Sequence, residues 1–266
     1  MNVFVRELKA NCKSTLVWTT ALSTLVVAFL LMFTVFSQDV ASAQDVIGNL
    51  PLAIREAFNI SLKNFFTIYG FFGYLFTFVS LAGAVQAMNL GVGIISKEVS
   101  GKTADFLLTK PISRTSVITN KLAAAFVMLI FTNLVFTTAA VMTANFVLVD
   151  DLNYKLFLLI SATLPLIQII FLALGALLAV IIPKVKSVVA VTLPTVFTFF
   201  IIGMLGAIIG NDNVRYITPF KFFDSNYIIN NNAYEIQYVL IGLTFSILAI
   251  AATYIIFIKK DVRSAS

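Results

Sequence analysis

Six apolar runs, at about 15–37, 65–95, 121–148, 156–182, 187–210 and 238–258, each reach the length of a membrane-crossing helix. Such a helix needs roughly 20 apolar residues to cross about 30 Å of hydrocarbon. Asp, Glu, Lys and Arg are absent from the runs except near their ends, at Lys121 and Lys155. One charge at a helix centre costs at least about 2.5–3.5 kcal/mol, so the charges collect in the connections. The chain is 60% hydrophobic and 11% charged, against about 25% charged in a soluble domain. Its mean hydropathy is +0.99. The expected fold is an all-α integral membrane protein, one six-span unit over residues 1–266.

The connections also set an orientation. Segments 1–14, 96–121, 183–187 and 259–266 hold 13 Lys and Arg, while 38–64, 149–155 and 211–237 hold 5. The excess of basic residues places the first set, with both termini, in the cytoplasm. Acidic residues lean the other way, 4 against 8. The net charge of +6 follows from this bias and implies no nucleic-acid partner.

Residues 1–14 have Phe4, Leu8 and Cys12 on one helical face and Arg6, Lys9 and Lys13 on others. That pattern suits an amphipathic helix lying in the inner headgroup layer before the chain turns into the membrane, or a solvated basic tail. With one cysteine and no histidine, no disulfide can form within the chain. The Ala41-Ser42-Ala43 stretch resembles a signal-peptidase site. The run before it is 23 residues long, whereas signal-peptide cores are about 7–15, so the first span is read as uncleaved. Asn59-Ile60-Ser61 matches a glycosylation sequon, a tripeptide short enough to arise by chance.

Small residues four apart predict close helix contacts: Gly83 and Ala87, Ala140 and Ala144, Gly206 and Gly210. Pro165 and Pro194 fall inside spans 4 and 5, where kinks are tolerated. Run 65–95 is about 46 Å long as a straight helix, so it must tilt, kink or protrude near Gly91–Ser96. Segment 211–237 mixes Tyr216, Phe220, Phe222, Phe223 and Tyr227 with polar residues and suits short helices at the outer interface. The connection 38–64 has a similar character.

Between spans 2 and 3 lies a polar island, Lys97–Lys121. It contains Gly101-Lys102-Thr103, but a phosphate-binding loop needs GxxxxGK[ST] after a strand. Ser96 occupies the place of the first glycine and a membrane helix precedes it. Histidine-dependent metal or triad chemistry is excluded by composition, and no carboxylate lies inside a span. The polar groups within the spans are amides, Gln86, Asn89, Asn133, Asn145 and Gln168. Gln86, Asn89, Asn133 and Gln168 are candidates either for a translocation path or for hydrogen bonds between helices.

The chain therefore shows no energy source of its own, and the island suits a docking point for one. Thr103 can cap a short helix over Phe106–Thr109 that Pro111 stops, and Ser113 can cap the helix leading into span 3. The apolar trio Phe106, Leu107 and Leu108 sits among Lys102, Lys110 and Arg114. Such a trio is buried either in a partner or in the lipid interface.

Glu98 to Arg114, EVSGKTADFLLTKPISR, resembles the signature of the ABC-2 family of ATP-binding-cassette exporter permeases: a Glu, Gly/Thr, paired leucines and P-[IV]-S-R. The match also covers the N-terminal elbow helix, six spans and Pro219-Phe220 before the last span. It departs from the pattern at Lys102, inserted between Gly101 and Thr103. The resemblance implies that Glu98, Gly101, Thr103, Phe106, Leu107, Leu108, Pro111, Ser113 and Arg114 form a cytoplasmic coupling helix seated on a separate ATPase. It implies two ATPase copies, a second permease copy or paralogue, and residence in the bacterial plasma membrane. No cofactor would bind this chain; ATP and Mg would be held by the ATPase, and the permease itself would not be an enzyme.

Phe65, Phe66, Phe71, Phe72, Phe76 and Phe78, with Phe197, Phe199 and Phe200, are expected to line an apolar path at a dimer interface or to face lipid. A lined path would favour an amphipathic or hydrophobic cargo. Among the exporters the family resembles, a membrane-active peptide is the first choice and a hydrophobic drug or lipid the second. A membrane anchor or sensor for an ATPase is the non-transporting alternative.

Overall fold

A computed structural model describes residues 3–36, 40–100, 113–148 and 152–259, without the side chains of 41–43 and 98–100. The described residues are helical, with no strand. The long helices are α1 (Val3–Phe36), α4 (Ile68–Ser100), α5 (Arg114–Val147), the pair α6 (Tyr154–Ser161) and α7 (Thr163–Ile181), α8 (Val188–Ile209) and α10 (Ile236–Lys259). Short helices α2 (Val40–Gly48), α3 (Leu52–Ala57) and α9 (Ser225–Asn231) lie in the connections. Six segments are long and apolar enough to cross a membrane.

The sequence of α4 is apolar on every face, and a helix of that kind is stable only when surrounded. It is accordingly central, packed along α7 and against α8, α1 and α5, while α3 packs on α8. α10 covers α7. Glycines set the α4–α7 distance: a Cβ on Gly91 would strike Leu172 O, and one on Gly175 would strike Met88 O. The expected pair Gly83 and Ala87 faces the same seam, Gly83 against Leu164 and Ala87 fully buried. Ala140 and Ala144 of α5 are fully buried as well. Gly206 and Gly210 depart from expectation. Gly206 makes room for Val214 of the next connection, and Gly210, at φ +69°, ends α8 in the left-handed conformation. Neither brings a second span close.

The turn expected between an elbow at 1–14 and a span at 15–37 is not there. α1 is one helix, about 51 Å long at 1.5 Å per residue. Its buried residues, Val3, Glu7, Thr15, Thr19, Leu22, Val26, Leu30 and Phe33, form one stripe from end to end. Neither Gly nor Pro interrupts it, and the stripe lies along α5 and α4. Span 4 is broken at Ala162 between α6 and α7, three residues before Pro165. Proline cannot donate to the carbonyl four residues back, here that of Ser161. α8 runs through Pro194.

Four of the six named phenylalanines of span 2 belong to the core, and Phe66 and Phe78 are half-buried. Phe65, Phe71, Phe72 and Phe76 are buried. Phe72 stacks on Phe157 with centroids 4.2 Å apart, and Phe71 lies 5.5 Å from Phe33. In α8, Phe199 and Phe200 pack against Phe171 and Phe220, while Phe197 is exposed. The outward apolar surface of α8 comes instead from Val189, Phe197, Ile201, Leu205 and Ile208.

At the end away from the termini, segment 211–237 forms two 3-10 turns, Asp212–Tyr216 and Pro219–Lys221, followed by α9. α9 is tied to the loop after α3. Asn59, at φ 59°, donates to Asp224 (3.1 Å), and Asn226 donates back to Asn59 Oδ1 (2.9 Å). The side chain of the sequon's asparagine is thus engaged within the fold.

Candidate functional site

The end carrying the termini is built around the first turns of α5. Ser113 caps the helix as expected, its Oγ accepting from Ser116 N at 3.2 Å. Arg114 donates from Nη1 to Ile258 O at the close of α10 (3.1 Å), satisfying a carbonyl that a helix end leaves open. One turn on, Thr119 Oγ1 and Tyr254 Oη share a 2.8 Å hydrogen bond. Then Lys121, with no solvent exposure, donates to Glu7 Oε1 of α1 (2.7 Å) and to Ile94 O of α4 (3.0 Å). Eight residues of α5 therefore hold α10, α1 and α4 together.

Lys121 is not the loop cation that the charge count made of it, and Glu7 is not a surface charge. Removing either from water alone costs several kcal/mol; paired at 2.7 Å, with further bonds to Ile94 O and from Asn11, each charge is compensated. Sequence reasoning missed the pair because its members are 114 positions apart. The available signal was phase: Glu7 falls on the same stripe as Val3, Thr15 and Thr19.

Of the residues that the signature places in the coupling segment, Ser113 and Arg114 are described above. The backbone of Glu98 lies in the last turn of α4. Its side chain, with Gly101, Thr103, Phe106, Leu107, Leu108 and Pro111, lies outside the described residues. The described bond of Arg114 goes to α10.

The amides within the spans form a chain. Thr19 of α1 meets Thr132 of α5 at 2.9 Å, and Thr132 accepts from Gln86 Nε2 of α4 at 2.9 Å. Gln86 Oε1 accepts from Gln168 Nε2 of α7 at 3.1 Å. Gln168 Oε1 accepts from Asn133 Nδ2 of α5 at 2.6 Å, and that nitrogen also donates to Leu129 O. Five side chains thus link four helices, and Gln86 and Gln168 are buried. Three of the four path candidates belong to this chain. Asn89 stands apart from it, with a buried Oδ1 that has no hydrogen-bond partner among the described residues.

The opposite end carries charges of both signs. Arg215 pairs with Glu235 and lies 4.3 Å over the ring of Tyr238. Burial works against its charge, but the bond and charge of Glu235 hold the guanidinium above its ordinary pKa. Burial pushes the Lys221 ammonium below the usual lysine range; Asp224 and Glu56 oppose that shift and Arg215 adds to it. Tyr234 donates to Leu159 O and is pushed up to about 12 by burial.

Six segments long and apolar enough to cross a membrane, with a buried polar chain between them, define a multi-pass membrane protein. The chain belongs to the ABC-2 family transporter proteins, whose family model matches residues 1–262. The comparison with curated proteins found no match. Members of this family are transmembrane subunits of ABC transporters and typically work with an ABC ATPase.

Proposed function

We propose that this chain is the transmembrane subunit of an ATP-driven exporter in a bacterial plasma membrane, acting as a dimer of permeases on two ATPase subunits, with its termini in the cytoplasm. The whole-chain family match carries the reading. The ties at the start of α5 support it mechanically. A push delivered to Glu98–Arg114 would reach α5 directly, and α1, α4 and α10 through Lys121 and Arg114. Such a joined end moves as a rigid body, as alternating access requires. The permease would bind no ATP; its role is to convert ATPase closure into movement of the spans.

For cargo, the reading is an amphipathic or hydrophobic molecule, a membrane-active peptide first and a hydrophobic drug or lipid second. With most of the span-2 phenylalanines buried, its support is the exposed apolar face of α8 and the absence of charge along it. Reconstitution with the ATPase tests this. Amphipathic helical peptides should stimulate ATP hydrolysis and accumulate in inverted vesicles. Stimulation by hydrophobic cations or undecaprenyl-type lipids but by no peptide would refute the cargo. ATPase recruitment without flux of any of them would favour an anchoring role.

A further inference from the structure

A cavity of about 250 Å³ opens at the end away from the termini, between α3, α4, α7, α8 and the 3-10 turns. It is smaller than the roughly 300–1,000 Å³ of drug-sized sites, so its occupant is small. Phe76, Phe200 and Phe220 contribute apolar wall. Ser80 and Thr163 also line it, and their hydroxyl hydrogens are used on Thr77 O (3.0 Å) and Ile160 O (2.8 Å). What these hydroxyls offer a ligand is oxygen lone pairs, suited to a donor.

Lys221 lines the same cavity. Its stem runs beside Gly203 of α8, where a Cβ would lie 3.5 Å from Lys221 Cγ. Its ammonium forms no ion pair and no hydrogen bond among the described residues. A largely desolvated ammonium with no hydrogen-bond acceptor is costly; Asp224 and Glu56 offset part of that cost through space but give its N–H groups no acceptor. Asp224 is engaged as the cap of α9, its Oδ1 taking Asn226 N and Asn59 Nδ2. Glu235 is held by Arg215. Glu56 faces the cavity but does not reach Lys221. An anion brought by a ligand would supply the missing partner. Asp224 and Glu56 nearby disfavour a second negative charge and favour a positive group on the same molecule.

We propose that this cavity binds a small amphoteric molecule, its single anionic group on Lys221 and its amine toward Glu56 and Asp224. Amino-carboxylates and the phosphodiester of glycerophosphoethanolamine share this chemistry, the latter free or as a lipid headgroup. The site is independent of the ATPase, so the test uses the permease alone.

The permease is placed in nanodiscs of phosphatidylethanolamine or of phosphatidylglycerol, and binding is measured by titration calorimetry. The probes are L-phenylalanine and glycerophosphoethanolamine, with phenethylamine (no anion) and N-acetyl-L-phenylalanine (no amine) as controls. A probe with both charges should saturate the site, and each control should bind at least about tenfold more weakly. Lys221→Gln should weaken binding by about tenfold or more, while Lys221→Arg, which keeps the charge, should retain most of it. Glu56→Gln should narrow the gap between phenylalanine and its N-acetyl analogue. Binding in both disc types supports a free molecule as occupant. Binding in phosphatidylglycerol discs alone supports a site already held by the phosphatidylethanolamine headgroup. Failure of both probes in both discs, equal binding of the controls, or unchanged binding by a folded Lys221→Gln overturns the proposal.

Discussion

Lys121 Nζ lies 2.7 Å from Glu7 Oε1 with both side chains withdrawn from solvent, so the first helix is joined to the third span by a buried ion pair. Breaking such a pair from one side strands the other charge, at about 3–5 kcal/mol, whereas removing both is close to neutral. Lys121→Met should therefore destabilise the permease by about that amount, and Glu7→Gln with Lys121→Met should recover most of the loss. Unfolding of the four variants in one detergent closes the cycle. A double variant as unstable as the sum of the singles would assign the effect to packing.

Gln168 holds the middle of the amide chain, donating to Gln86 and accepting from Asn133. Gln168→Leu should lower stability by about 0.6–1.7 kcal/mol, the range for hydrogen bonds between membrane helices. Cargo preference should stay the same. Unchanged stability with altered cargo selectivity would place Gln168 in a translocation path instead.

Two glycines of α4, two positions apart, should respond oppositely. A Cβ at Gly91 meets the α7 backbone, so Gly91→Ala should separate α4 from α7 at a cost of about 1–3 kcal/mol. A Cβ at Gly93 meets only Val188 side-chain carbons, at 3.8 and 3.9 Å. Gly93→Ala should be neutral or stabilising by up to about 1 kcal/mol, since glycine weakens a helix interior. Melting temperatures of the two variants decide this.

Much of the architecture was legible because hydrocarbon leaves few choices. Six runs, the capping Ser113, and the contacts of Gly83, Ala87, Ala140 and Ala144 follow from local pattern. What was not legible depended on facing. The phenylalanines of α4 read as path or lipid surface and not as core, because a helix apolar all round carries no moment to show which face is covered. α1 was divided at residue 14 because Lys9 and Lys13 mark a polar stretch. The buried stripe nevertheless passes through it, held by a carboxylate whose partner is distant in sequence. In the candidate site, Ser113 was read correctly from its position before a helix. The described bond of Arg114 goes to a carbonyl of α10, a contact no spacing could show.

The orientation rests on charge bias and is open to direct labelling. Cys12 is exposed on α1, and Asn213 is exposed in the connection after α8. An impermeant maleimide applied to intact cells should miss Cys12 and label a cysteine introduced as Asn213→Cys in a Cys12→Ala background. The reverse pattern would invert the topology and remove the coupling segment from the cytoplasm.

The measurement closest to the central claim is recovery of the ATPase with the permease. The wild-type chain, purified from membranes containing its cognate ABC ATPase, should bring that subunit with it. Leu107→Asp with Leu108→Asp places two charges in the apolar trio of the coupling segment. This variant should lose the ATPase while remaining a monodisperse membrane protein with the melting temperature of the wild type. Undiminished recovery of the ATPase by the folded double variant would contradict the account.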